Sequence, residues 1–195
     1  MYSFKSVYFT IFFTSLVLCQ DVMASSKMAD DEVQNVQRAA IESDEDRKRL
    51  QQAAVLLAHY EIEARKIIKR IDAGATGEII SEQAKKLLNL SEGVISSAQF
   101  RLPQCDAYLA KTMTLKNSLQ EISHETLEKD YHQDGALPAA PAECYHAKDL
   151  FVHPASVIVL IRDDPALSNT TRSSIKSEIT EILVHTEVVR QLVFY

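Results

Sequence analysis

The chain has 195 residues, of which 46% are hydrophobic and 25% are charged, a composition that fits one ordinary globular domain. It contains only four glycines and five prolines, too few for the frequent turns of a β-sandwich, so helix is the expected secondary structure. The net charge of −6 argues against nucleic acid as a partner held through its phosphates.

The amino-terminal residues have the pattern of a secretory signal peptide. Lys5 provides a positive charge, residues 7–18 form an apolar run, and Ala24 ends a sequence (VMA) that resembles a cleavage site. The apolar run has about a dozen residues, which is too short to span a bilayer. We therefore predict a cleaved signal peptide over residues 1–24 and a periplasmic or secreted protein without an integral membrane segment after cleavage.

The cysteines indicate one disulfide. Signal cleavage would remove Cys19 and leave Cys105 and Cys144 as an even pair in an oxidising compartment, where a disulfide is the expected state. A bridge across about 40 residues contributes about 4 kcal/mol in the chain-entropy model. A metal-binding or redox role of two free thiols is the less favoured alternative, because the sequence has no C-x-x-C motif.

The first half of the mature chain predicts two firm helices. Residues 25–42 are polar with sparse apolar positions, and we expect only a weak helix there. Residues 43–195 are expected to form the helical bundle domain. Its first firm helix ends at Gly74, and the second is expected between Ser81 and Pro103. The first helix is predicted by apolar residues at three- and four-residue steps, namely Leu50, Ala53, Leu57, Ala64, Ile67 and Ile71.

The third predicted helix runs from Cys105 to His132 and has the clearest amphipathic pattern. At about 100° per residue, Glu121, His124, Glu128 and His132 lie about 180° from the apolar face, so we expect them to face solvent. The apolar face consists of Cys105, Tyr108, Thr112, Leu115, Leu119, Ile122 and Thr126.

A proline-containing loop over residues 133–141 precedes the fourth predicted helix, which covers residues 142–162. Pro154 lies inside this helix and is expected to kink or divide it. Residues 155–161 are apolar on every side and therefore buried. Their β-branched side chains would also suit a strand, but helix is favoured because the chain offers no strand to pair with them.

The last predicted helix begins at Asn169 or Thr170. Its expected core face consists of Ile175, Ile179, Ile182, Thr186, Val189 and Val193. Val184, Val188 and Leu192 lie on the opposite side and are either central in the bundle or an exposed apolar surface. The whole sequence therefore predicts an all-α, single-domain bundle of four to five helices with one disulfide.

One group of residues has the spacing of a metal site. His146, Asp149 and His153 recur at steps of three and four along one helical stripe, and His132 lies just across the predicted loop. Imidazole and carboxylate are ligands that suit zinc or copper. The alternative is that His146 bonds a neighbouring carboxylate and that His153 is shaped by Pro154, without any metal. The sequence favours this alternative.

Two other metal centres are disfavoured. Glu-x-x-His pairs at residues 121–124 and 143–146 have the spacing used in di-iron bundles, but the first pair falls on the expected solvent face. A haem held by Met28 and His185 is disfavoured because Met28 precedes the firm helices.

The sequence contains neither a G-x-S-x-G motif nor a glycine-rich phosphate loop, and we do not expect an enzyme. The leading hypothesis is an exported helical protein that binds another protein, or its own copy, through the apolar side of its last helix. The competing hypothesis is a periplasmic metal- or haem-binding protein that uses His132, His146, Asp149 and His153.

Overall fold

The structure is a computed structural model that describes the backbone of residues 17–194 and the side chains of residues 44–194. By its internal contacts the chain divides into two units, residues 1–47 and residues 48–195. The core and the candidate site lie in the second unit. Residues 1–16 of the predicted signal peptide lie outside the described residues, as does the side chain of Met28.

The described part of the chain is all-α, as the sequence predicts, with six helices rather than four to five. The helices are α1 (Val17–Asp72), α2 (Gly77–Arg101), α3 (Asp106–Met113), α4 (His124–Leu127), α5 (Tyr145–Asp163) and α6 (Asn169–Phe194). Short 3₁₀ turns cover Pro103–Cys105, Thr114–Ser118 and Ala142–Cys144, and α4 continues into a π-helical turn over Glu128–His132. None of these helices, within the residues described, is long and apolar enough to cross a membrane.

Helix α1 is continuous through residues 25–42, where only a weak helix is predicted. It ends at Asp72, just before Gly74, the expected stop, whose φ of 77° is the left-handed conformation that glycine adopts without steric cost. Helix α2 begins at Gly77, four residues before the predicted start. A Cβ atom at Gly77 would lie 2.8 Å from the carbonyl oxygen of Pro165, so this close approach of two chain segments requires glycine.

The prediction of a single helix from Cys105 to His132 is wrong, because helical structure is interrupted between Ser118 and His124. Ser123 has extended backbone angles and caps α4, accepting a hydrogen bond from the Thr126 amide at 3.1 Å. The break resets the helical phase. Residues after it therefore no longer lie opposite the apolar face of α3.

Helix α5 is the buried centre of the fold, and its residues 155–161 are helical rather than extended. It packs against both α2 and α6. Pro154 does not divide the helix, and it does not leave a backbone carbonyl without a hydrogen bond. A proline has no amide hydrogen for the carbonyl four residues earlier, which here belongs to Leu150. The buried hydroxyl of Tyr60 on α1 donates to that carbonyl at 2.6 Å and replaces the missing bond.

The structure places Cys105 and Cys144 at disulfide distance, with sulfurs 2.05 Å apart, as the sequence predicts. Both cysteines are buried, and each ends a 3₁₀ turn directly before a helix. The bridge therefore joins the beginning of α3 to the beginning of α5.

Candidate metal site

Histidine and carboxylate side chains from three consecutive segments meet beside α5. Each segment contributes three of them at steps of three or four residues, a spacing that places side chains on one helical face. The α4–π segment carries His124, Glu128 and His132; α5 carries His146, Asp149 and His153; and α6 carries Glu178, Glu181 and His185. We call this group the histidine cluster.

His153 is the centre of the cluster and is fully buried, with 0% of its surface exposed. Its Nδ1 lies 2.7 Å from Oε2 of Glu178, and because a carboxylate only accepts, Nδ1 carries the proton. In the neutral ring Nε2 then presents a lone pair, and this atom has no hydrogen-bond partner among the described residues. A carboxylate that fixes the imidazole tautomer in this way is the usual arrangement behind a metal-binding histidine.

His132 repeats the same arrangement from the π-helical turn. Its Nδ1 lies 2.8 Å from Oε2 of Glu128, and its ring packs edge-on against that of His153, with centroids 4.8 Å apart. The hydrogen bond to Glu128 raises the pKa of His132 and lowers the pKa of Glu128. The two imidazole rings are therefore in edge-to-face contact, and each is hydrogen-bonded at Nδ1 to a glutamate carboxylate.

His185 closes the other side of His153, with its ring stacked on it at a centroid distance of 5.2 Å. Burial lowers the pKa of His185 to about 4, and this effect outweighs the nearby carboxylate of Asp149. Nδ1 of His185 lies 2.8 Å from Nδ1 of His146, and Nε2 lies 3.5 Å from Oδ2 of Asp149. His185 is therefore neutral near pH 7, which is the protonation state a metal ligand requires.

Lys148 supplies a buried positive charge beside the cluster. Its ammonium group donates to the backbone carbonyl of His132 at 2.8 Å and to Asp134 at 2.9 Å. It also lies 3.2 Å from Oδ1 of Asp149, an atom without a hydrogen bond to any described residue. Tyr108 donates to the same Asp134 carboxylate at 2.6 Å. These contacts fasten the π-helical turn to α3 and α5.

The ligand atoms form three sets, and within each set the atoms lie within 4.8 Å of one another. The sets are His132 with His153 and Glu181, Asp149 with His153 and His185, and His124 with Glu128 and Glu178. Because ligands about 2.1 Å from an ion can lie up to about 4.2 Å apart, small side-chain rotations would bring each set to metal-binding distances.

The structure brings together the residues named from the sequence, His132, His146, Asp149 and His153, in one cluster. The expectation that His124, Glu128 and His132 face solvent is wrong, because all three are partly buried against α5 and α6.

The contribution of α6 is missing from the sequence-based set. Glu178, Glu181 and His185 have the same steps of three and four as the stripe on α5. Comparing the two stripes would have identified α6 as a source of ligands, although not its position beside α5.

The apolar surface proposed for protein binding is only partly open. Val184 is 64% exposed, whereas Val188 and Leu192 are partly buried and Leu192 packs against the core. The protein-binding hypothesis stays a prediction.

Comparison with known proteins finds no match to this chain among family models, curated proteins or solved structures.

Proposed function

We propose that this chain is an exported helical protein that binds a divalent transition-metal ion in the histidine cluster, with zinc or copper as the ion. The ion would lie at Nε2 of His153. Its further ligands would come from His132, Asp149, Glu181 and His185. The observation that carries the proposal is the buried imidazole of His153, which is hydrogen-bonded to Glu178 at Nδ1 and has no hydrogen bond at Nε2 within the described residues, where Oε2 of Glu181 lies 4.0 Å away.

Nε2 of His153 is a buried polar atom without a hydrogen bond within the described structure. An unsatisfied buried polar group costs about 1–3 kcal/mol. A metal ion coordinated by Nε2 would offset this cost in the bound state. Asp149, whose Oδ1 lies 3.2 Å from the ammonium group of Lys148, would contribute a carboxylate ligand beside it.

The donor set narrows the choice of ion. It offers imidazole nitrogens and carboxylate oxygens, while both described cysteine sulfurs are paired with each other. Nitrogen-rich sites of this kind suit zinc and copper(II), and copper(II) generally binds more tightly at a given site.

Export forms part of the proposal. It is supported by the signal-like pattern over residues 1–24 and by a cysteine pair at disulfide distance, since disulfides persist mainly in oxidising compartments.

Calorimetric titration of the metal-free protein with zinc and with copper tests the proposal. We expect binding that weakens by about 100-fold or more in His185→Asn, together with a rise in melting temperature of the wild-type protein at excess metal. Both effects should decrease below about pH 6, because protons compete for imidazole nitrogen.

His59 provides a matched control. It is exposed on α1 and is the one histidine of the six that lies outside the histidine cluster. His59→Ala should bind zinc as the wild type does. Equal losses in His59→Ala and His185→Asn, or a wild-type protein that binds neither ion, would refute a metal site in the cluster.

A further inference from the structure

A separate set of ligand atoms lies at the end of the histidine cluster that is farther from His146. His124, Glu128 and Glu178 form this set and share no residue with the other two. Nε2 of His124 is buried, lies 3.7 Å from Oε1 of Glu128, and has no hydrogen-bond partner among the residues described. An orphaned imidazole nitrogen therefore points into a space bordered by two carboxylates.

The two carboxylates of this set have only histidines as charged partners in the described structure. Glu128 pairs with His124 and His132, and Glu178 pairs with His153. Two ionised carboxylates whose oxygens lie within 4.8 Å of each other attract a positive charge placed between them. A divalent cation at this point would supply that charge and would be coordinated by Nε2 of His124.

The same two carboxylates also support the ligands of the proposed metal site. Oε2 of Glu128 accepts from His132, and Oε2 of Glu178 accepts from His153. Each carboxylate has a second oxygen, and Oε1 of Glu128 faces His124. This pair of glutamates thus lies between His124 on one side and His132 and His153 on the other.

The π-helical turn helps to create this arrangement. Its wider hydrogen bond runs from the amide of Gln133 to the carbonyl of Glu128 at 2.8 Å. Glu128 stands between His124, one turn before it in α4, and His132 at the end of the π turn. Single π turns within helices frequently occur at functional sites, where they redirect side chains.

We propose that the cluster binds two ions, and that a second divalent ion lies between His124, Glu128 and Glu178. The proposal rests on the proposed function, since Glu128 and Glu178 connect this ion to His132 and His153 of the first site. One imidazole and two carboxylates form a harder donor set than the first site offers. The second position therefore suits zinc or manganese better than copper.

Zinc stoichiometry tests the inference. The full chain is loaded with zinc, freed of excess ion by gel filtration and analysed for metal content per chain. We expect two zinc ions in the wild type and in His59→Ala, and one in His124→Ala. The zinc that remains in His124→Ala should keep an affinity within about threefold of the tighter wild-type site.

The outcomes separate the two proposals. One zinc in the wild type, unchanged in His124→Ala, would overturn the second site while leaving the first. Two zinc ions retained in His124→Ala would also overturn it, because the second ion would then lie elsewhere. A wild-type protein without bound zinc would refute both.

Manganese provides a readout that a purely structural effect of the substitution would not change. Two manganese ions bound within one cluster broaden each other's electron paramagnetic resonance signal through the interaction of their magnetic dipoles. We expect His124→Ala to give the six-line spectrum of a single ion. Since the His124 side chain is 35% exposed, the variant should fold, and the melting temperature of the metal-free form checks this. If His124→Ala does not fold, His124→Gln takes its place with the same expected results.

Discussion

At the scale of single residues, a side chain can provide a hydrogen bond that the helical backbone lacks. Tyr60 is the clearest case, since its buried hydroxyl provides the hydrogen bond that Pro154 cannot give to Leu150. Burial, together with the nearby Asp149 carboxylate, raises the pKa of Tyr60, so the hydroxyl remains a donor throughout the physiological range. Helix α5 can therefore carry a proline directly beside His153 without losing its continuity.

Replacement of Tyr60 by phenylalanine should destabilise the fold. Tyr60→Phe removes the donor and leaves the buried Leu150 carbonyl unsatisfied, a change that typically costs about 1–3 kcal/mol. Urea denaturation of the metal-free protein measures this loss. Tyr145→Phe, at a tyrosine that is 39% exposed, is the matched control and should cost under about 0.5 kcal/mol. Equal losses of unfolding free energy in the two variants would contradict a stabilising hydrogen bond from Tyr60 to the Leu150 carbonyl.

A second residue-scale prediction concerns Glu63 and acid stability. Hydrogen bonds from Lys86 and Lys66 lower the pKa of Glu63 to about 2. A carboxyl group whose pKa is depressed by folding stabilises the protein above its unfolded pKa, and this stability is lost as the pH falls through the folded value.

Glu63→Gln should therefore reduce the loss of stability between about pH 4.5 and pH 2. The measurement is the free energy of unfolding as a function of pH for the wild type and the variant. Glu82→Gln is the control, because Glu82 pairs with Lys85 on the exposed side of α2. Identical pH profiles for wild type and Glu63→Gln would show that the lysine contacts do not persist in solution.

At the scale of elements, the stripe of His146, Asp149 and His153 could be predicted because spacing alone aligns side chains on a helix. The position of α6 beside this stripe could not be predicted, because it depends on how the two helices pack against each other. The break before α4 was missed for a different reason. Ile122 and Thr126 continue the apolar period of α3 across the break, so the pattern hides the new helix start at Ser123.

The cap at Ser123 should matter for metal binding as well as for stability. Ser123→Ala removes the acceptor for the Thr126 amide and should cost about 1 kcal/mol in unfolding free energy. Because the cap fixes where α4 begins, and His124 follows directly, zinc affinity of the second site should fall with it. Ser173→Ala, at an exposed position of α6, is expected to change neither quantity. A capping variant with unchanged stability and affinity would contradict this role.

At the scale of the whole molecule, the α-helical fold and the cysteine pair were predictable from composition and cysteine count. The position of the cluster was not, because it depends on three segments that meet only in the folded chain. The cysteine pair joins the beginning of α3 to the beginning of α5. It therefore holds in place the carboxyl end of the segment between these helices, which contains α4 and the π-helical turn.

The cysteine pair gives a prediction at this scale. If the chain is exported and cleaved after Ala24 as proposed, the denatured, unreduced mature protein should contain no titratable thiol. Reduction should lower the free energy of unfolding by about 4 kcal/mol, as expected for a bridge that spans 39 positions. The double variant Cys105→Ser with Cys144→Ser should show the same lower stability and no response to reductant. About two free thiols per chain would rule out the bridge.

The ligands of the proposed centre come from three segments, and the last of these is α6, at the carboxyl end of the described chain. A chain translocated in an unfolded state cannot carry an ion in this centre, because its ligands are not yet assembled. Residues up to the end of α5 can leave the ribosome or the translocation channel without forming the complete site. If the cluster binds metal as proposed, loading would follow the arrival of the last helix, and the ion would be drawn from the compartment in which folding finishes.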